Sequence, residues 1–206
     1  MKDLVSLVAD KNMHFALNGA LGRFDSLEIR PISFDFRIHL GRDGGARKSG
    51  CEVLALEKHR FHHALLVLDF DGSGTDLPDA ITLEGELDNR LRAQWGNSAK
   101  AIVIEPELDV WMWGADNAIQ PVIHWDRDQP IREWLRLQGF AFNDKEKPVL
   151  PKEALRRALR AVRLPRSSAV YQAIAERISL RRCNDEAFQR LLQTLRTWFP
   201  VGAQAE

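Results

Sequence analysis

The stretch His63-Ala-Leu-Leu-Val-Leu-Asp69-Phe-Asp71-Gly72-Ser-Gly74 decides the fold, because an uninterrupted apolar run ends in two carboxylates and two glycines. Such a run suits a strand covered on both faces, as in a parallel sheet. Asp69 and Asp71, two apart in an extended segment, are predicted to point the same way. Carboxylates at a strand end beside flexible glycines suit a hard cation. Mg2+ is typically held by one or two carboxylates and several waters, leaving coordination positions for phosphate oxygens. The alternative is a solvated strand-to-helix turn in which Asp71-Gly72 supports tight backbone geometry.

Two further runs follow the same plan. Leu4-Val-Ser-Leu-Val-Ala9 ends in Asp10 and leads into a helical pattern through Phe15, Leu17 and Leu21, predicting a helix over 12–21. Ala101-Ile-Val-Ile104 ends in Glu105-Pro106-Glu107-Leu108-Asp109. In an open parallel sheet the carboxyl ends of the strands share one edge, where ligands bind, so three such strands are predicted to converge their acids. Each acid has a second reading as a helix N-cap or first-turn residue favoured by the helix dipole. Asp10 fits that reading, and so does Glu107 after Pro106.

Outward from these strands, Ile32 to His39 alternates apolar and polar residues and predicts a half-buried edge strand. A turn at Gly41-Arg-Asp-Gly44-Gly45 is predicted to precede a helix from Glu52 to Phe61. Asp79 to Trp95, with Ile81, Leu83, Leu87, Leu91 and Trp95 on the apolar face and Glu84, Glu86, Asp88, Arg90 and Arg92 exposed, predicts a crossover helix. Past Trp113 the pattern turns helical: Pro130–Leu137, a polar linker over 143–151, an Arg-striped helix over 152–162, a helix capped by Ser167 or Ser168, and a last one capped by Asn184 or Asp185. The prediction is an α/β protein: a three-layer core with a mainly parallel sheet over residues 1–114, and a mainly helical, Arg-rich extension over 115–206 packed on it. Trp111, Trp113, Trp125 and Trp134 read as core joining the two parts, the alternative being a base-stacking platform.

With 206 residues the chain can bury a substantial core. Lys plus Arg and Asp plus Glu both number 29, so no overall field draws in nucleic acid. From Pro151 onward, however, eleven basic residues face five acids, a local charge of +6. Such asymmetry suits either a basic surface that meets phosphates or a solvated helical face paired across the interface. Cys51 and Cys183 lack any CxxC partner, which argues against structural zinc and for reduced thiols. His62 and His63 are adjacent on a strand and so face opposite ways; His63 reads as a strand-start residue rather than a ligand. No apolar segment approaches the ~20 residues that cross a bilayer, and the N-terminal run is too short for a signal peptide, so a cytoplasmic protein is expected. Neither a Ser-His-Asp set nor a phosphate-cradling P-loop is evident, since Gly41 to Gly45 lacks the GK[ST] signature.

An acid after the first strand, Asp69-Phe-Asp71 after a central one, and Pro106-Glu107-Leu108-Asp109 before Trp111 resemble the TOPRIM-like domains of proteins allied to topoisomerases, primases and overcoming-lysogenization-defect nucleases. Over nearly its full length the chain is similar to a small component of the methylation-associated defence systems of bacteria. That likeness is carried by Ala9-Asp10-Lys11-Asn12-Met13, Asp69-Phe-Asp71-Gly-Ser-Gly74, Pro106-Glu-Leu-Asp-Val-Trp111, Ser167-Ser-Ala-Val-Tyr171 and Arg181-Arg-Cys-Asn-Asp-Glu-Ala-Phe188. The TOPRIM pattern departs at its first acid, where Asp10-Lys11 stands for the usual Glu-Gly.

The resemblance implies an anti-phage defence component. Three readings compete. In one, Asp10, Asp69 and Asp71 with Glu105 or Glu107 hold Mg2+ or Mn2+ and cleave a phosphodiester of DNA or RNA, Lys11 or an arginine steadying the phosphate. In another, the core has lost that chemistry and serves recognition beside other proteins of the defence system, with Arg156, Arg157, Arg160 and Arg163 available to phosphates. In the third, the acids are caps and the chain is a scaffold.

Overall fold

In the computed structural model, which describes residues 1–114 and 117–202, the chain runs β1 (Lys2–Val8), α1 (Lys11–Leu21), α2 (Phe24–Leu27), β2 (Phe34–Ile38), α3 (Arg42–Ala55), β3 (Phe61–Asp69), α4 (Ala80–Trp95) and β4 (Ala99–Ile104). Then follow α5 (Asp109–Met112), α6 (Ile119–Val122), α7 (Ile131–Leu137), α8 (Pro151–Ala161), α9 (Ser168–Ala175) and α10 (Glu186–Trp198). The predicted boundary between residues 114 and 115 falls against residues outside those described.

All four strands pair in parallel, in the order β2-β1-β3-β4. Leu4, Val5, Leu7 and Val8 of β1 and Ala64 to Leu68 of β3 are fully buried, as suits central strands, and so are Ala101 to Ile104 of the edge strand β4, against which α4 and α10 pack. The alternating β2 lies at an edge, as its pattern predicts, and is shorter than the predicted span, beginning at Phe34. Each fully buried Leu, Val or Ile in this layer contributes ~1.5–3 kcal/mol over an exposed one.

Both faces are covered. A Cβ at Gly50 of α3 would meet Leu66 at 2.8 Å and Leu7 at 3.1 Å, so α3 packs closely on the face those leucines share. His63, odd-numbered on the same strand and therefore on the opposite face, stacks on Trp198 of α10 at 4.5 Å between ring centroids. Burial there, with His62 nearby, lowers the His63 imidazole to about 4. The result is a three-layer α/β arrangement. Helix α9 lies along α1, and Ser168 donates from Oγ to Asn12 Oδ1 at 2.9 Å. Trp111 and Trp113 are buried, while Trp125 and Trp134 are half-buried and meet edge to face at 5.1 Å.

Several sequence expectations are corrected. The helix predicted from Glu52 to Phe61 instead begins at Arg42 and ends at Ala55, and Phe61 opens β3. Gly45 belongs to its first turn, where a Cβ would stand 2.6 Å from the His39 ring. Within α4 the faces are partly exchanged: Ile81 is 54% exposed, and Glu84 is buried because Arg190, Lys100 and the Val103 N–H converge on its carboxylate. Ser167 precedes α9 but makes no side-chain capping bond. The polar linker predicted over 143–151 contains Lys147, which is buried. Both cysteines are buried, and among the described residues no helix is long and apolar enough to cross a membrane.

Candidate functional site

In a parallel sheet whose order reverses beside its first strand, the crevice lies at the carboxyl ends of β1 and β3. Beside that crevice, at the carboxyl ends of β3 and β4, a cleft of about 350 Å3 opens, lined by Asp43, Asp69, Asp71, Glu107 and Lys152 among others. Three of these residues were predicted site residues. Asp43, which opens α3, and Lys152, which opens α8, were not.

Asp69 is the last residue of β3, and its carboxylate accepts the Leu108 N–H at 2.8 Å. Burial, with Asp43 next in effect, pushes the Asp69 carboxyl well above the usual carboxylate range. Asp43 Oδ1 accepts the main-chain N–H of Asp69 at 2.8 Å, yet burial still raises Asp43 as well. Asp71 lines the same cleft as Asp69 but lies beyond the strand. The strand stops at Asp69, the Ser73 N–H bonds to the Phe70 carbonyl at 3.0 Å, and Asp71 lies exposed in the resulting turn. The Asp71 N–H donates to the Pro106 carbonyl at 3.1 Å, tying the turn to the segment after β4. Arg47 holds the other flank, donating to the carbonyls of Ser73 and Gly74 at 2.9 and 3.0 Å.

The remaining acids each have protein partners, Glu107 inside the cleft and the others outside it. Asp10 is the N-cap of α1, accepting the Met13 N–H at 2.9 Å, so its capping reading holds. It does not line the cleft, although its charge reaches Asp43. Lys11 is exposed and stands over the Phe15 ring at 5.6 Å. Glu105 faces another cavity, with Oε2 3.4 Å from the Ala80 N–H that begins α4. Glu107 is paired with Lys152; burial raises its carboxyl, which the ammonium partly offsets. Asp109 is buried, accepts the Tyr171 O–H at 2.7 Å and has Arg166 at 3.6 Å, and burial raises it too.

Among the described residues, no group of three or more His, Cys, Asp or Glu side chains is disposed to hold a metal ion. The donor chemistry agrees: Asp10, Glu105, Glu107 and Asp109 each spend oxygens on a protein N–H, O–H or cation. Of the five acids predicted to hold Mg2+ or Mn2+, Asp69, Asp71 and Glu107 line one cleft, whereas Asp10 caps α1 and Glu105 lines another cavity.

The arginines of the predicted nucleic-acid surface all lie on or just after α8. Arg156, Arg157, Arg160 and Arg163 are exposed. Arg157 donates to Gln138 Oε1 at 2.6 Å and lies 5.8 Å from the Trp134 ring, and Arg156 is 4.0 Å from Glu153. Compared with protein-family models, with curated proteins and with solved structures, the chain matches none.

Proposed function

We propose that this chain is a recognition subunit of a bacterial methylation-associated anti-phage defence complex, a cytoplasmic protein whose TOPRIM-like core positions other surfaces instead of cutting nucleic acid by itself. The single observation that carries this reading is the prior commitment of the acids. Asp10 caps a helix, Glu107 neutralises Lys152, and Asp109 serves Tyr171 and Arg166. Mg2+ loses its waters reluctantly and needs carboxylate oxygens free to meet it in near-octahedral geometry. The motif resemblance supports membership of the defence system, and the exposed arginines of α8 support contact with DNA or RNA phosphates beside protein partners.

A second reading, a Mg2+-dependent nuclease, is favoured by one observation. Asp43 and Asp69 crowd each other in a cleft and are both raised, a pattern typical of functional sites. The two separate experimentally through Asp71, which is exposed and can be replaced at small structural cost. A recognition subunit retains phage protection in cells with Asp71→Ala, and the assembled complex leaves plasmid intact in Mn2+. Nicking by the assembled complex that disappears with Asp71→Ala or Asp69→Ala overturns the recognition reading in favour of the nuclease.

A further inference from the structure

A second cavity, of about 360 Å3, opens between the carboxyl end of β4, the first turns of α4 and α10, and residues 143–149. Its volume lies in the range of small-molecule sites. Lys147 lines it and is 2% exposed, yet among the described residues its Nζ finds no hydrogen-bond acceptor. The carboxylate paired with it, Asp185 Oδ2, lies 3.6 Å away, beyond hydrogen-bond length. A buried ammonium has three donors and no acceptor, so leaving them unmet is costly.

The carboxylates on the same wall are already occupied. Asp185 Oδ1 accepts from the Trp111 indole at 2.8 Å and caps α10 by accepting the Phe188 N–H at 3.1 Å. Glu186 pairs with Lys145 at 3.0 Å, and Glu105 meets the Ala80 N–H. Arg190 Nε is held by Glu84 at 2.9 Å. Among the described residues the donors left over are Lys147 Nζ, and the Glu186 and Ala187 amides, which as the first residues of α10 have no intrahelical acceptor.

We propose that this cavity binds the oxyanion of a small phosphorylated or carboxylated molecule, with Lys147 Nζ and the leading amides of α10 as its donors. A helix N-terminus favours negative charge, and a desolvated ammonium makes a strong charge-assisted bond to it. The site is separate from the Asp43–Asp69 cleft, and the inference does not depend on the recognition reading.

The test is calorimetric titration and thermal melting of the full chain with inorganic phosphate, adenosine 5′-monophosphate and citrate, at ionic strength matched with chloride. At least one of the three gives a saturable response, and which one separates phosphate from carboxylate ligands. Lys147→Met weakens that binding about tenfold or more, the worth of one charge-assisted bond. Ala187→Pro, which deletes one amide donor in a first helical turn that tolerates proline, weakens it as well. Asp71→Asn, in the other cleft, leaves it unchanged. Absence of a saturable response to all three probes overturns the proposal, as does wild-type affinity in Lys147→Met. Should Lys147→Met fail to fold, wild-type affinity in Ala187→Pro overturns it equally.

Discussion

Asp43 Oδ1 accepts the main-chain N–H of Asp69 at 2.8 Å, so the first turn of α3 is fastened to the end of β3 by a carboxylate facing another carboxylate. The fastening is tight on its outer side as well: a Cβ added at Gly72 would stand 2.6 Å from Asp43 Oδ2. The glycine of the Asp71-Gly72 pair is therefore needed for close approach. Through this contact the β2–α3 connection and the β3 turn form one wall of the cleft, with two acids whose charged forms the surroundings disfavour.

That disfavour has a measurable sign. A carboxyl raised in the fold binds its proton more readily there than in the unfolded chain, so between the ordinary value of 3.8 and its folded value the native state holds the extra proton. Stability from Asp69 is then present at low pH and lost as pH rises through the folded value. Asp69→Asn, which keeps an oxygen for the Leu108 N–H, is expected to melt higher than the native chain at pH 8 and to lose that advantage toward pH 4. The gain at pH 8 is ~1–3 kcal/mol, the cost of an ill-satisfied buried group. His63, lowered to about 4, acts in the opposite direction, its contribution being lost as pH falls below 6.5. Because His63 is common to both proteins, the difference between their melting curves isolates Asp69. A difference that does not change with pH contradicts the assignment.

Asp185 joins three structural tasks: it caps α10, accepts the Trp111 indole N–H and neutralises buried Lys147. Asp185→Ala is expected to cost ~2–4 kcal/mol in denaturant unfolding, combining a lost cap of ~1 kcal/mol with buried donors left unmet at ~1–3 kcal/mol. Asp185→Asn, which keeps the accepting Oδ1, loses less. Equal losses from the two would assign the effect to Lys147 alone.

The exposed arginines of α8 make a prediction about salt. If Arg156, Arg157, Arg160 and Arg163 contact duplex phosphates, the logarithm of affinity falls linearly with the logarithm of salt concentration. Replacing them with Gln is expected to flatten the slope by ~0.9 for each lost contact, at unchanged melting temperature. Binding whose salt slope ignores all four substitutions assigns these residues to structural contacts such as Arg157 with Gln138.

The local code carried the layered core. Apolar runs at Leu4–Ala9, broken only by Ser6, Ala64–Leu68 and Ala101–Ile104 marked buried parallel strands, the alternation around Phe34 to Ile38 marked an edge, and Asp10 was legible as a cap; all depend on period and local hydrogen bonding, which neighbouring residues determine. The acids at strand ends were legible as a group on one rim, since a parallel sheet puts every carboxyl end on one side. Which acids share a cleft was decided only in three dimensions. Asp43 arrives because α3 starts ten residues earlier than its apolar pattern suggested, and Lys152 arrives from α8, more than forty residues beyond Glu107. The burial of Glu84 has the same origin: it depends on Arg190, which approaches from α10, 106 residues away. Charge pairing and desolvation depend on distance in space, and no spacing along a chain encodes partners brought together by the packing of a distant helix.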